Sequence, residues 1–401
     1  MVNSVEITGI TLDKAYYHPG ETVQVQASLS SKVDAPSQVK IRFSVTHLAD
    51  EISHQEQAVT LNGGDQSLQF SYTPPQTIPA GYGIDLQVST SGGTRLASAS
   101  AAFDVLNNWT QNPRYGFMTD FQPGRTDLAE TMQLLTRYHI NGLQFYDWMY
   151  RHEQFLTDID PYTDLWSKVP HSIKTVDAMI QAAHDHSIAA MPYTAVYGAS
   201  MDFYKQHPDW VLYDLGGKPT FFGGDMMAIM DPRPSSPWTN YLLDQFDQVL
   251  QKTAFDGIHL DQYGDPKVGY DANHKPYDLA PVLADFINQT KVHVDKYRSD
   301  GAVVFNCVTN WPVEAVAPVN EDFVYIEVWS PYNWFSDLHQ LVVNAQKLSG
   351  GKPVVLAAYI DATFENNARL MDAAIFASGG GRIELGRTTA CWLKLISPDT
   401  R

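Results

Sequence analysis

Two carboxylates in this sequence stand at the ends of apolar runs. Asp261 closes Gly257-Ile258-His259-Leu260 and is followed by Gln262 and Tyr263. Glu327 closes Phe323-Val324-Tyr325-Ile326 and is followed by Val328 and Trp329. Neither has a cation close by in sequence, and the nearest to Asp261 is Lys267. A carboxylate at a strand end ordinarily caps the next helix or pairs with an arginine. These two have aromatic neighbours instead, and a carboxyl group among aromatics is desolvated, so its proton is held to higher pH. One ionised carboxylate and one protonated carboxyl are what glycoside hydrolysis requires, facing each other across the bond to be cut. Groups about 5–5.5 Å apart give retention of configuration and groups about 6.5–9.5 Å apart give inversion. The spacing in sequence does not decide between them.

Elements that could position such a pair follow from the rhythm after Arg114. Short apolar runs at Tyr115–Thr119, Gly142–Tyr146, Ile188–Thr194, Gly257–Leu260, Ala302–Cys307, Phe323–Ile326 and Pro353–Tyr359 read as strands, with an eighth at Ala374–Ala377 or Arg382–Leu385. Helical patterns lie between them at Leu128–His139, Ile173–His186, Trp238–Lys252, Ala280–Tyr297, Trp334–Leu348 and Asn366–Phe376. This alternation predicts a parallel sheet with right-handed crossovers, and eight strands predict a closed (β/α)8 barrel. Active sites of such barrels lie at the carboxyl ends of the strands. Asp120, Asp147, Asp261, Glu327 and, near the seventh strand, Asp361 all fall there. Asp261 and Glu327 are therefore the expected catalytic residues. Asp120, Tyr146, Asp147, Trp148, His152, Tyr193, Gln262 and Trp329 are the expected substrate-binding residues. Rim packing is the alternative for the two tryptophans. The connections after Tyr146 and Thr194 are long and rich in aromatic and polar residues, as functional loops are.

Residues 1–107 read differently. Apolar and polar residues alternate in Thr22–Ser28, Val39–Val45, Ser67–Tyr72 and Ile84–Val88, separated by turn clusters such as His18-Pro19-Gly20, Asn62-Gly63-Gly64-Asp65 and Ser91-Gly92-Gly93. This predicts an immunoglobulin-like β-sandwich without catalytic groups. The expected protein is thus a multidomain β plus α/β chain: the sandwich over 1–107, then a (β/α)8 TIM barrel over 108–401, linked near Asn107–Pro113.

Composition excludes several classes. A formal net charge of −18 repels phosphate backbones, so nucleic acid is not an expected partner. No apolar stretch is long enough to span a membrane. The start, Met1-Val2-Asn3-Ser4, carries no signal-like pattern, so any secretion signal is expected to be missing from this chain. Two cysteines, Cys307 and Cys391, make neither a disulfide framework nor a zinc spacing. There is no Gly-rich phosphate loop and no calcium-type loop, so no cofactor and no metal are expected. Aromatic residues make up 12% of the chain, the kind of surface on which sugar rings stack, although most such rings belong to a core. The stretch 387–401 does not read as the helix that should follow an eighth strand, which predicts an altered or shortened end and an imperfectly closed barrel.

At these strand ends the chain resembles glycoside hydrolase family 66, the dextranases and cyclodextran-forming glucanotransferases. The motifs are Tyr115-Gly116-Phe117-Met118-Thr119-Asp120-Phe121, Gly142-Leu143-Gln144-Phe145-Tyr146-Asp147-Trp148, Gly257-Ile258-His259-Leu260-Asp261-Gln262-Tyr263-Gly264 and Glu327-Val328-Trp329. The resemblance implies a retaining mechanism on α-1,6-linked glucan, with Asp261 as nucleophile and Glu327 as general acid/base. It implies dextran and isomaltooligosaccharides as partners, and a secreted, monomeric enzyme. It also implies a C-terminal β-domain that is absent from this sequence. Endo-acting hydrolysis is the leading expectation. Cyclising transglycosylation by the same carboxylates is the alternative, and a non-catalytic glucan-binding barrel is a third reading that both retained carboxylates speak against.

Overall fold

The computed structural model describes residues 2–75, 80–165, 168–224, 226–271, 273–360 and 364–383. The expectations placed on Asp361, on Cys391 and on the stretch from Glu384 onward lie outside the described residues.

Seven strands form the N-terminal module: Val2–Leu12, Val23–Val33, Ser37–His47, Asp50–Leu61, Gly64–Tyr72, Ala80–Thr90 and Arg95–Val105. They make two antiparallel sheets, ordered first–second–fifth and fourth–third–sixth–seventh. Alternation drives the layering. Val23, Val25, Ala27 and Leu29 point inward from one sheet, and Val39, Ile41, Phe43 and Val45 from the other. The two sets share one core, in which Phe43 stacks on Phe70 across the layers at 4.9 Å. Asp50–Leu61 gave no apolar signal because nearly all its side chains are exposed.

Eight short parallel strands form the second region: Tyr115–Met118, Gly142–Phe145, Ala189–Ala195, Gly257–Asp261, Ala302–Val308, Phe323–Val328, Val354–Ala358 and Gly381–Arg382. They are hydrogen-bonded in sequence order from first to eighth. Together with the antiparallel module this is a nearly closed TIM barrel joined to a β-domain. Barrel strands are covered on both faces, so they read as continuous apolar runs rather than as alternation. One expectation is corrected here. Ala374–Ala377 is the end of a helix, Glu365–Ala377, and the eighth strand begins after it at Gly381.

The crossover helices sit where apolar residues recur every three or four positions. In Pro237–Lys252 the buried stripe is Trp238, Leu242, Phe246 and Val249. Ser236 and Asp278 start their helices as N-caps, accepting from Trp238 N at 3.2 Å and Ala280 N at 2.9 Å. The connection after the third strand carries a small sheet of its own, Gly198–Ser200, Phe221–Phe222 and Met227–Ile229, which the sequence did not announce.

Gly257 opens the fourth strand against Ala302 of the fifth. A Cβ there would stand 1.9 Å from the Ala302 carbonyl oxygen. Gly257→Ala should therefore lower unfolding stability by about 1–3 kcal/mol or more, since backbone must shift to admit it. Denaturant midpoints equal to the parent's would mean the fourth and fifth strands approach less closely than they do here.

Candidate active site

The fourth strand ends on Asp261 and the sixth carries Glu327 one residue before its end. Both face a cleft of about 410 Å³ at the carboxyl-terminal rim of the barrel. Its wall is built from successive strand ends: Tyr146 and Asp147 after the second, Tyr193 in the third, Gln262 and Tyr263 after the fourth, Val308 ending the fifth, Trp329 after the sixth. Phe222, from the small sheet after the third strand, completes it. Among the described residues no lysine or arginine belongs to this wall.

One amide joins the two carboxyl groups. Asn306 Nδ2, from the fifth strand, donates to Asp261 Oδ1 at 2.7 Å and to Glu327 Oε2 at 3.1 Å. The Tyr193 hydroxyl donates to Asp261 Oδ2 at 2.7 Å, and the Tyr359 hydroxyl to Glu327 Oε1 at 3.1 Å. Burial pushes Asp261 up, and the facing charge of Glu327 pushes it further, against the bonds from Tyr193, Asn306 and the Gln262 backbone. Burial likewise pushes Glu327 up, against the bonds from Asn306, Trp329 and Tyr359. Like charges this close and this dry do not both ionise near neutrality, so the pair holds one proton between them.

The other expected residues divide. Tyr146, Asp147, Tyr193, Gln262 and Trp329 join Asp261 and Glu327 in the cleft wall. Asp147 sits in the left-handed region at φ 52°, which aspartate tolerates better than most residues. Its carboxyl is pushed well up by burial and by the charges of Asp164 and Asp261, and its Oδ1 is buried without a hydrogen-bond partner. Tyr146 packs on Tyr193 with ring centres 4.6 Å apart. Gln262 is only 1% exposed and its amide braces the rim, donating to the carbonyls of Asn306 and Trp311 and accepting from Gly264 N. Trp329 is 44% exposed and leans on Tyr359, an open aromatic face beside Glu327.

Asp120, Trp148 and His152 are not part of the cleft wall. Trp148 is the clear correction. It is fully buried, packs on Phe155 and Phe255, and donates its Nε1 proton to the Tyr193 carbonyl at 3.2 Å. Asp120 accepts from Gln122 N at 3.3 Å just past the first strand. His152 is buried edge-on to Tyr193, and burial pushes it down to about 4, so it is neutral at ordinary pH.

Three residues around the pair went unnamed in the sequence reading: Asn306, Tyr359 and Phe222. Asn306 had a signal, being the amide that interrupts the apolar run Ala302–Cys307. Tyr359 closed a run that had been read only as a strand. Phe222 had none, because its strand is two residues long. It stacks on Tyr263 at 4.2 Å. Among the described residues no group of three or more His, Cys, Asp or Glu is placed to hold a metal ion. No helix among them is long and apolar enough to cross a membrane.

Paired carboxyl groups in an aromatic, cation-free cleft of a TIM barrel are the arrangement that glycoside-cleaving barrels use. Residues 12–394 match glycosyl hydrolase family 66, and the chain belongs to that family. It is 30% identical over 379 residues to a cycloisomaltooligosaccharide glucanotransferase of Niallia circulans, covering 88% of this chain and 38% of that protein. It is 23% identical over 325 residues to a dextranase of Streptococcus salivarius, covering 72% of this chain and 39% of that one. The crystal structure of a Paenibacillus sp. cycloisomaltooligosaccharide glucanotransferase complexed with cycloisomaltoheptaose superposes with a TM-score of 0.81 at 29% identity, covering 90% of this chain and 54% of that one. The chain spans well under half the length of the curated relatives it matches.

Two outcomes follow from burial. Trp148→Ala should cost about 3–5 kcal/mol of stability, because it empties a packed site. A KM change in an otherwise stable variant would return Trp148 to the substrate. Asp261→Asn should raise the melting temperature at neutral pH. The folded-state pKa of Asp261 lies above its unfolded value, so the parent loses stability as pH rises through that window and the amide does not. The gain should vanish below about pH 3, where the carboxyl is protonated in both states. A gain that persists unchanged at that pH would show that charge is not its cause.

Proposed function

We propose that this barrel acts on α-1,6-linked glucan by double displacement, with Asp261 as nucleophile and Glu327 as general acid/base. The observation that carries the reading is the carboxyl pair bridged by one amide nitrogen. Its oxygens lie no further apart than the sum of the two bonds from Asn306, 2.7 and 3.1 Å. That sum falls short of the roughly 6.5–9.5 Å of an inverting pair and accords with the roughly 5–5.5 Å of a retaining one.

The hydrogen bonds support the division of roles. The bonds from Tyr193 and Asn306 to Asp261 each measure 2.7 Å, and those from Asn306 and Tyr359 to Glu327 each measure 3.1 Å. Shorter bonds mark the acceptor that carries charge. This supports Asp261 as the charged partner once substrate is bound, with the shared proton delivered from Glu327, although in the empty site the Glu327 charge raises Asp261. In the first step an Asp261 oxygen attacks the anomeric carbon while Glu327 gives its proton to the leaving glycosidic oxygen. In the second, Glu327 takes a proton from the incoming hydroxyl, whose oxygen displaces Asp261. The buried phenols of Tyr146, Tyr193 and Tyr263 are pushed well above the usual phenol range and stay neutral throughout. A wall with no cation suits a neutral sugar chain better than an anion.

The incoming hydroxyl decides the product. Water gives linear isomaltooligosaccharides, and hydrolysis of dextran is the leading reading. A sugar hydroxyl from the same chain gives a cycle. That second reading is favoured by the glucanotransferase relatives, of which the Niallia circulans protein is more similar to this chain than the Streptococcus salivarius dextranase is. In the same proposal residues 1–107 are an immunoglobulin-like packing module, residues 108–401 are the catalytic barrel, and a monomer works on the polymer outside the cell.

Incubation with dextran and with starch, followed by sizing and linkage analysis, tests the substrate: products should come from dextran alone. Asp261→Asn should remove turnover by several orders of magnitude. Activity within about tenfold of the parent would reject its role. Glu327→Gln should abolish action on dextran yet keep the first step on a glycosyl fluoride, whose leaving group needs no proton. Azide should then restore turnover and give an α-configured adduct. A β-configured adduct would mean one displacement rather than two.

A further inference from the structure

Asn306 touches both carboxyl groups and forms no bond in the chemistry. We propose that Asn306 is a positioning residue that fixes the spacing of Asp261 and Glu327 and dictates which of their oxygens carries the shared proton. This rests on reading that pair as nucleophile and acid/base.

The spacing argument is geometric. A planar amide has two N–H bonds that diverge by about 120°. One aims at Asp261 Oδ1 at 2.7 Å and the other at Glu327 Oε2 at 3.1 Å. The bound oxygens then stand about 5 Å apart, the span of a retaining pair. The amide cannot be turned round, because Oδ1 would then face two acceptors. As it stands, Oδ1 is buried with no hydrogen-bond partner. An unmet acceptor disfavours the folded state, so this orientation is held by what the nitrogen does.

The proton argument follows. Asp261 Oδ1 and Glu327 Oε2 both accept from Asn306, so neither can present a proton to it. The proton is confined to Asp261 Oδ2 or Glu327 Oε1. Tyr193 donates to the first at 2.7 Å and Tyr359 meets the second at 3.1 Å. The shorter bond favours charge on Asp261 Oδ2 and leaves Glu327 Oε1, at its longer bond from Tyr359, to take the proton. Among the described residues the other titratable groups that feel the charge of the pair are Asp147 and the phenols of Tyr146, Tyr193, Tyr197, Tyr263, Tyr325 and Tyr359, none of them a cation. No charge therefore substitutes for the amide.

The test compares the parent with Asn306→Ala and Asn306→Asp, first without substrate. Asn306 lowers the folded-state pKa of both carboxyl groups. Its removal leaves them higher, so folding must keep more protons than before. The melting-temperature deficit of Asn306→Ala should be smallest at acid pH and should widen as pH rises through the titration of the pair. Asn306→Asp keeps the shape but adds a third carboxyl, so its deficit should widen further. On dextran, the acid limb of kcat/KM should move to higher pH in both variants. kcat should fall at least about tenfold while KM changes little. Melting curves that run parallel to the parent's at every pH, or an unmoved acid limb, would overturn the proposal. Should the alanine variant fail to fold, the aspartate variant decides by the same curves. Should the parent leave α-1,6-glucan untouched, the functional reading fails, and the substrate-free curves still decide the part of Asn306.

Discussion

Everything at the cleft depends on one electrostatic constraint: two carboxyl groups are buried within two hydrogen bonds of each other, with no cation among the described residues of the wall to compensate. Charge repulsion at that range is weak in water and strong where water is excluded. The structure answers it without a salt bridge. The four carboxyl oxygens accept from neutral donors, Asn306 and Tyr193 on Asp261 and Asn306 and Tyr359 on Glu327, with the Gln262 backbone and Trp329 adding to them. Neutral donors stabilise one negative charge and leave room for one proton. A lysine or arginine in their place would ionise both groups and leave no acid.

The barrel beneath keeps that balance by being electrically quiet. Below Asp261 on the same strand, His259 is fully buried among Tyr115, Tyr193 and Tyr325. Its Nδ1 meets the Tyr115 hydroxyl at 3.1 Å, and burial pushes it down to about 3. A histidine two residues from Asp261 invites a role as base, yet burial keeps this one neutral across any working pH. The rim is held with equal economy. Gln262, next to the nucleophile, spends its amide on backbone groups of neighbouring connections. Trp148, next to Asp147, ties the second connection to the third strand through the Tyr193 carbonyl.

How much of this was legible in sequence follows from which features have a local signature. Seven of the eight barrel strands were readable because strands covered on both faces must be apolar throughout. The carboxylates were readable because Asp261 and Glu327 break such runs at their ends. The side toward which a residue turns has no such signature. Trp148 and Trp329 both follow strand ends beside a carboxylate, yet one is 0% exposed and the other 44%. Asn306 was hidden inside a run that otherwise reads as wall. The small sheet that brings Phe222 to the cleft has strands of two or three residues, too short for any period to appear.

Both readings of the reaction pass through the same intermediate, so the carboxyl pair cannot choose between them. The choice belongs to the surface that meets the incoming hydroxyl. In the proposed mechanism Glu327 stands on the leaving-group side, because it delivers the proton there. Its neighbours Trp329 and Tyr359 then belong to the side that the second reactant enters. A half-exposed indole offers a sugar ring a face to stack on and offers water nothing comparable. Phe222 and Tyr263 form a second aromatic pair in the cleft wall. An aromatic platform on the acceptor side raises the residence of a sugar relative to water. Under the proposed mechanism, the Trp329 face is therefore the part of the cleft that weighs transfer against hydrolysis.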